Sequence, residues 1–365
     1  MIIKDLVEFL EQYAPLSYQE DYDNAGLIVG NPKDEIKSGL VCLDCTEQII
    51  DEAILKKCDI VIAHHPIIFK GLKKLNGKNY IERVIIKAIK NNIAIYAIHT
   101  NLDNVINGVN DKICDKIGLI NRSILAPKKN NLKKLATYIP INYADVVKEA
   151  IFKAGAGNIG NYANCSFNII GNGTFKAKNN AKPFIGEIDK LHIEEELKIE
   201  VIFNQENQSK IINALLNSHP YEEVAYDIYP LDNLNTQLGS GMVGELKEEK
   251  DVHEFLMSLK ENMNVSVIRH TSLNHKKIKK VAVCGGSGSF LLQQAKQAQA
   301  DIFITADFKY HEFFDADGEI VIADIGHYES EQFTQDLLLD IITKNFPNFA
   351  IRLTENNTNP IKYLS

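Results

Sequence analysis

Two adjacent histidines, His64 and His65, lie between a short apolar run and Pro66. The apolar run, residues 60–63, predicts a strand that is buried on both faces. Neighbouring strand residues point to opposite faces, but Pro66 forces the chain out of the sheet, so both rings can face one site at the strand end. Open α/β sheets bind ligands at such strand ends, and imidazole binds zinc, iron, copper and nickel. The pair therefore predicts a metal site, with a chance His-His pair in a solvated loop as the alternative.

Further histidines and carboxylates follow other predicted strands. His327 and Glu331 are four residues apart where Gly326 precedes a predicted helix, so their side chains share one face. His99 and Asp103 have the same spacing, but in a loop, where the spacing fixes less. The candidate metal ligands are His64, His65, Asp103, His327 and Glu331. These five side chains suffice for two divalent ions if one carboxylate bridges the ions and water completes each coordination shell. The alternative is that each residue serves separately, as a helix cap or a solvated group.

Three residues close to these ligands in the sequence are candidate catalytic residues. Asp307 and His311 repeat the four-residue spacing after another predicted strand. That position suits either a hydrogen bond that supports a metal ligand or a role in proton transfer. His99, at the end of its own predicted strand, is the third candidate.

A glycine-rich segment, Gly285, Gly286, Ser287 and Gly288, lies between a predicted strand and a predicted helix. Bare backbone N–H groups and a helix N-terminus could bind the anionic group of a cofactor there. The segment lacks the lysine of a P-loop and the spacing of a dinucleotide-binding motif. A tight turn with close backbone packing is an equally good interpretation.

The elements around these residues predict an α/β fold. Strands and helices alternate before residue 127 and again after residue 246, which predicts a mixed, largely parallel sheet flanked by helices. Residues 128–245 follow the order β-α-β-β-α-β of a ferredoxin-like α+β module. We therefore predict a discontinuous domain, residues 1–127 and 246–365, with a second domain, residues 128–245, inserted into it. The dense polar stretch of the insert is His219-Pro220-Tyr221-Glu222-Glu223.

Composition limits the possible partners. The 365 residues carry a formal charge of −8, with 45% hydrophobic and 24% charged residues, which is ordinary for a globular protein and argues against nucleic-acid binding. No apolar run approaches the ~18 residues of a membrane span, and the charged N-terminus argues against a signal peptide. Six scattered cysteines indicate reduced, structural thiols. We expect a cytoplasmic protein that does not bind membranes.

Four motifs, in chain order, resemble one protein family. They are Asp23-Asn24-Ala25-Gly26-Leu27, His64-His65-Pro66, His99-Thr100-Asn101-Leu102-Asp103 and Gly326-His327-Tyr328-Glu329-Ser330-Glu331. The combination resembles the NIF-three-like family of dinuclear metal centre hexameric proteins, whose members are often labelled GTP cyclohydrolase 1 type 2 homologues. The resemblance covers residues 1–127 and 246–365, and the middle segment looks like the PII-like or CutA-like insert of longer bacterial members. Ala306 is a departure, because many members carry glycine before the aspartate.

The resemblance implies a site, an assembly and a chemistry. It implies two divalent ions per chain (zinc, iron or manganese) held by the five candidate ligands, with Glu331 as the bridge, and a homohexamer whose metal sites face an inner cavity. It implies a metal-dependent hydrolase, in which a water whose pKa is lowered towards ~7 attacks a purine ring carbon or a phosphoester of a nucleotide or other phosphate-containing ligand. The alternative is a non-catalytic, metal-dependent hexameric scaffold or sensor whose insert binds a ligand or a partner.

Overall fold

The computed structural model describes residues 1–129, 131–273 and 277–364. The chain forms two compact units: a discontinuous unit, residues 1–127 and 237–365, and an inserted unit, residues 128–236. The second boundary lies at residue 236 rather than at residue 245, because residues 237–245 belong to a long strand that pairs within the discontinuous unit. Within the described ranges, no helix combines the length and the hydropathy needed to cross a bilayer.

The first half of the discontinuous unit alternates strands with helices. The Thr46 hydroxyl caps the second helix by accepting a hydrogen bond from the Ile49 N–H. The elements in chain order are α1 (Ile3–Tyr13), β1 (Gly26–Val29), β2 (Ser38–Asp44), α2 (Glu47–Leu55), β3 (Ile60–His65), α3 (Tyr80–Lys90), β4 (Ala94–Ala97), α4 (Thr100–Asp103), α5 (Val109–Ile117) and β5 (Ile120–Lys128).

The inserted unit has the element order β-α-β-β-α-β that the sequence predicted. Its elements are β6 (Leu132–Pro140), α6 (Ala144–Lys153), β7 (Phe167–Lys176), β8 (Leu191–Asn204), α7 (Gln208–Ser218) and β9 (Tyr226–Leu231). The strands form an antiparallel sheet in the order β7-β8-β6-β9. Both helices pack on one face of it, where Leu135, Ile199 and Val201 meet Ile151 and Leu215.

The second half of the discontinuous unit returns to the alternating pattern. Its elements are β10 (Asn235–Asp251), α8 (Val252–Asn262), β11 (Arg269–His270), β12 (Lys277–Ser287), α9 (Leu292–Gln297), β13 (Ile302–Ala306), β14 (Val321–Asp324), α10 (His327–Glu331), α11 (Thr334–Asn345) and β15 (Ala350–Leu353). A short 3-10 helix, Tyr310–Ala316, connects β13 to β14. The six cysteines of the chain are free thiols, five of them buried.

Two mixed sheets, rather than the single sheet predicted, form the discontinuous unit. The first has the order β1-β4-β3-β2-β15, with β1 antiparallel at its edge and the other strands parallel. The second has the order β11-β14-β13-β12-β10-β5, with β12, β13 and β14 parallel. One apolar core contains side chains from both sheets, such as Ile62 and Tyr96 from the first and Val283 and Ile304 from the second. The carboxyl ends of parallel strands from both sheets can therefore meet at one site, which sequence periodicity alone does not reveal.

Candidate metal centre

The two histidines at the end of β3 are oriented by different oxygen atoms. The Nδ1 of His64 lies 2.8 Å from the backbone carbonyl oxygen of Ile98. A carbonyl only accepts hydrogen bonds, so His64 carries its proton on Nδ1 and leaves Nε2 free to act as a ligand. The Nδ1 of His65 lies 2.8 Å from Oδ1 of Asp44, the last residue of β2.

His99 and His327 are held in the same way. The Nδ1 of His99 lies 2.8 Å from Oδ1 of Asp23, and the Nδ1 of His327 lies 2.6 Å from Oδ2 of Asp307. Each imidazole that binds a metal commonly donates its other N–H to such an oxygen, which fixes the tautomer and the direction of the ring. Asp307, predicted to support a ligand or to transfer protons, thus contacts a candidate ligand directly.

Glu331 lies at the centre of these rings. Its Oε2 is 3.0 Å from Nε2 of His65 and 3.2 Å from Nε2 of His327, whereas its Oε1 is 3.9 Å from Nε2 of His64. Oδ1 of Asp103 lies 3.6 Å from the same His64 nitrogen. The donor atoms form three overlapping groups, each within 4.8 Å: His65, His327 and Glu331; His64, Asp103 and Glu331; and His64, His65 and His99. The five predicted ligands therefore come together, and His99 joins them.

Two polar atoms of this cluster have no hydrogen-bond partner among the described residues. Nε2 of His64 and Oδ1 of Asp103 are both buried and make no hydrogen bond. An unsatisfied buried polar group costs ~1–3 kcal/mol, so natural structures rarely leave two of them facing each other. A cation between the two atoms would satisfy both. Imidazole and carboxylate donors are a suitable set for divalent transition metals.

The charges of the cluster are strongly coupled. Burial and the nearby Glu331 carboxylate raise the pKa of Asp103 well above its usual value. Burial opposes the ionisation of Glu331, but hydrogen bonds from the histidines hold its pKa well below the usual value. Burial lowers the pKa of His64 to about 4. A cation bound beside neutral His64 would favour the ionised form of both carboxylates.

Two other histidines have raised pKa values. Burial opposes the protonation of His65, but its hydrogen bonds to Asp44 and Glu331 raise its pKa to about 10. Burial likewise opposes protonation of His327, whose pKa the Glu331 and Asp307 carboxylates raise to about 9. In the ion-free protein at neutral pH, both rings therefore carry a proton on the Nε2 that would bind a metal.

We expect metal binding to release protons and to strengthen as the pH rises. Because the two pKa values are raised to about 10 and about 9, the ligand nitrogens of His65 and His327 are protonated at pH 7, and a metal must displace those protons. Affinity should therefore increase with pH until the pH passes about 10, the higher of the two values. Isothermal titration calorimetry with zinc in buffers of different ionisation enthalpy measures the released protons directly. A heat of binding that is the same in every buffer would contradict this protonation state.

The glycines of β12 do not form the predicted anion-binding loop. The N–H of Gly285 donates to Oδ1 of Asn110 at 2.9 Å, and the N–H of Gly286 donates to Oγ of Ser330 at 2.9 Å. A Cβ added to Gly286 would lie 2.4 Å from Oε1 of Glu331. These glycines thus allow α10 to approach β12 closely, which agrees with the alternative interpretation of close backbone packing.

The rest of that segment serves packing in a similar way. A Cβ on Gly288 would lie 2.3 Å from Oγ1 of Thr305, so close packing also requires glycine there. Ser287 differs, because it lines a cleft that opens beside the cluster. The helix that follows, α9, has only six residues.

His311 does not reach the cluster. It lies in the 3-10 helix after β13, is exposed, and packs its ring against Tyr310 and Phe314. Asp307 has a left-handed backbone, with φ of +60°, which turns the chain before this helix begins. The four-residue spacing from Asp307 to His311 is therefore not helical, and the two side chains do not share a face.

A cleft of about 690 Å³ opens beside the cluster. Four large aromatic side chains line it, and each is about half exposed or more. Their exposed fractions are 67% for Tyr22, 48% for Phe69, 58% for Tyr80 and 64% for Phe290. Phe69 packs edge-on against His99, with ring centroids 5.7 Å apart. These aromatic residues therefore border the candidate ligands, a feature that their scattered sequence positions did not indicate.

Apart from the protonated His65 and His327, the charged groups around the cleft are acidic. Its described lining contains the carboxylates of Glu20, Asp44, Asp103 and Glu331 and neither lysine nor arginine. The chain segment after β15 closes one side, where the hydroxyl of Thr358 donates to Oδ2 of Asp44 at 2.9 Å. Thr358 thus contacts the carboxylate that orients His65. Sequence reasoning missed this segment because it contains no residue type typical of a metal site.

These features define a mixed α/β protein with a buried group of histidines and carboxylates that could hold metal ions. The profile of the Duf34/NIF3 (NGG1p interacting factor 3) family matches residues 1–360. The chain belongs to this family, which confirms the resemblance indicated by its four sequence motifs.

Similar proteins cover both units of the chain. A Bacillus subtilis protein named GTP cyclohydrolase 1 type 2 homolog is 38% identical over 366 residues, which cover 99% of this chain and 98% of that protein. A Halalkalibacterium halodurans protein of the same name is 41% identical over 325 residues, 88% of this chain and 87% of that protein. The crystal structure of a Bacillus cereus protein related to NIF3 has 36% identity and a TM-score of 0.87, covering 100% of this chain and 99% of that one.

Proposed function

We propose that the discontinuous unit binds two divalent metal ions and hydrolyses a small-molecule substrate. The position of Glu331 carries this proposal, because each of its two carboxylate oxygens faces a different group of candidate ligands. His65 and His327 would hold one ion, and His64 and Asp103 the other, with Glu331 bridging them. When bound, two such ions polarise a substrate oxygen and lower the pKa of a water.

The protein's own side chains would orient this site and line its substrate cleft. Asp23, Asp44 and Asp307 hold the Nδ1 of three histidines, so that each Nε2 points to the centre. His99 is the histidine next to the aromatic wall, where Phe69 packs on it. We propose that His99 completes the site on the substrate side, as a ligand or as a proton acceptor.

The lining of the cleft supports a planar ring as the recognised part of the substrate. Exposed aromatic side chains bind flat rings by stacking. Triphosphates are usually held by lysine or arginine side chains in addition to metal ions, whereas the described lining here has four carboxylates and neither lysine nor arginine. The relatives carry the name GTP cyclohydrolase 1 type 2 homolog. That name agrees better with a cleft that recognises a nucleobase ring than with a cleft that recognises phosphates.

Turnover by the metal-loaded protein tests this proposal. Protein loaded with zinc, iron or manganese should be offered purine nucleosides, their triphosphates and simple phosphoesters. We expect a nucleoside to be hydrolysed with a kcat/KM within about threefold of that of its triphosphate, because the phosphates make no contact that stabilises the transition state. A preference above a hundredfold for the triphosphate would refute ring recognition. No turnover of any substrate at full metal occupancy would refute the hydrolase and favour the scaffold.

We propose two further properties on the basis of the family resemblance. One is a homohexameric assembly, and the other is a PII-like or CutA-like character of the inserted unit. The sheet order β7-β8-β6-β9, with two helices on one face, supports a ferredoxin-like topology for the inserted unit.

A further inference from the structure

A second cleft, of about 1110 Å³, lies entirely within the inserted unit. Alternate residues of β8 point to opposite faces of its sheet. Leu197, Ile199 and Val201 face the core under the helices, so Glu196 and Lys198 belong to the opposite face, where they line the cleft. The cleft therefore occupies the face of the sheet that the two helices leave uncovered.

Glu196 is the buried charged group of this cleft. It is only 9% exposed, and its Oε1 accepts a hydrogen bond from the Tyr221 hydroxyl at 3.0 Å. Its Oε2 forms no hydrogen bond or ion pair with the described residues. A Cβ added to Gly173 would lie 2.1 Å from this oxygen, so glycine is what allows the carboxylate to lie against β7. Oε2 is not among the fully buried atoms that lack a hydrogen-bond partner, so it is accessible to a donor from a ligand in the cleft.

The polar stretch noted in the sequence positions this carboxylate. His219 donates from Nε2 to the carbonyl oxygen of Tyr138 and accepts from the Tyr221 N–H at its Nδ1, at distances of 3.0 and 3.1 Å. Both ring nitrogens are thus used to fix the turn that aims Tyr221 at Glu196. Glu222 accepts a hydrogen bond from the Lys182 N–H at 2.8 Å, which holds the loop after β7 beside the cleft.

Two further aromatic rings line the cleft beside Tyr221, and two of the three lysines of the lining, Lys176 and Lys198, are paired with other carboxylates. The ring centroids of Phe175 and Phe184 lie 6.1 and 6.3 Å from that of Tyr221. Lys198 pairs with Glu200 at 2.7 Å, and Lys176 pairs with Asp189 at 3.7 Å. The Glu196 carboxylate is therefore not neutralised by either of these cations.

We propose that this cleft binds a small organic cation through its guanidinium or alkylammonium group. Oε2 of Glu196 accepts an N–H of the cation, and the faces of Phe175, Phe184 and Tyr221 contact its charge and its alkyl chain. Aromatic faces attract cations through their quadrupole, and a carboxylate supplies the charge-assisted hydrogen bond. This site is separate from the metal cluster and does not depend on the proposed hydrolase activity.

Calorimetric titration of the full-length protein tests the proposal with three probes. Butylguanidinium and butylammonium carry the cationic group, while butylurea has nearly the shape of butylguanidinium without its charge. We expect both cations to bind about tenfold or more tightly than butylurea, since a charge-assisted hydrogen bond is lost with the neutral probe. Equal affinity for butylguanidinium and butylurea, or no binding of either cation at millimolar concentration, would overturn the proposal.

Three variants locate the binding to this cleft. Glu196→Gln keeps the side-chain size and an acceptor for Tyr221 but removes the charge, and it should weaken the cations about tenfold or more. Phe175→Leu keeps an apolar side chain without the ring and should weaken the cations but not butylurea. Glu149→Gln is the matched control, because Glu149 is on α6, outside the cleft, and pairs with Lys153. Cation binding that survives both Glu196→Gln and Phe175→Leu, or that is lost equally in Glu149→Gln, would refute this location.

Discussion

Replacing Glu331 with glutamine should remove one of the two proposed metal ions and lower the proposed metal-dependent turnover by orders of magnitude. The bridging role requires an ionised carboxylate that offers one oxygen to each ion, and the two oxygens of Glu331 do face different ligand groups. Glutamine keeps the size and one carbonyl oxygen, but its amide nitrogen is a poor ligand. Charge stabilisation at a metal site contributes several kcal/mol to catalysis, and each ~1.4 kcal/mol corresponds to a tenfold change in rate.

Metal stoichiometry by elemental analysis, together with turnover on the same preparation, measures both effects. Glu329→Gln is the matched control, because Glu329 is also buried on α10 but its Oε1 accepts from the side chain of Asn359. That variant should retain both ions. Two ions bound at unchanged affinity in Glu331→Gln would refute the bridge, whereas loss of an ion with unchanged turnover would refute the catalytic role of the pair.

The local part of the site was predictable from sequence. Adjacent His64 and His65 before a proline, and His327 and Glu331 at helical spacing, restrict side-chain directions within a few residues. The structure brings these side chains together with Asp103 as expected. The family assignment followed from the same short motifs, which the comparison with known proteins confirms.

Contacts between distant segments were not predictable in this way. Asp44 orients His65 and Asp23 orients His99, yet each pair joins residues from different strands or loops. Hydrophobic periodicity indicates that a strand is buried, but it does not indicate which strand lies beside it.

Two errors of the sequence analysis have local physical causes. His311 was expected to support a metal ligand or to transfer protons, but the left-handed backbone of Asp307 turns the chain into a 3-10 helix that exposes His311. For the glycine segment, exposed amides were expected, although the N–H groups of Gly285 and Gly286 are bound by Asn110 and Ser330. A glycine run indicates close backbone approach, but the approaching group can be a helix of the same chain as well as a phosphate.

Replacing Gly286 with alanine should disrupt the metal cluster although no ligand is changed. The added Cβ would lie 2.4 Å from Oε1 of Glu331 and 3.2 Å from Cε1 of His327, so the carboxylate must leave its present position beside His64 and Asp103. The residue also has a φ of +62°, where alanine costs about 1 kcal/mol or more relative to glycine. We therefore expect loss of the ion held by His64 and Asp103, together with a modest decrease in the free energy of unfolding.

Gly118→Ala separates the two effects of that substitution. Gly118 ends α5 with a φ of +81°, but a Cβ there would have no atom within 4 Å. It should therefore lose about the same ~1 kcal/mol through backbone strain and keep full metal content. Denaturant unfolding and elemental analysis of both variants measure the two quantities independently. The contrary result is that Gly286→Ala binds both ions as tightly as Gly118→Ala. In that case, the Glu331 oxygen that faces His64 would not be needed for the second ion. The close approach of α10 to β12 would then not determine metal binding.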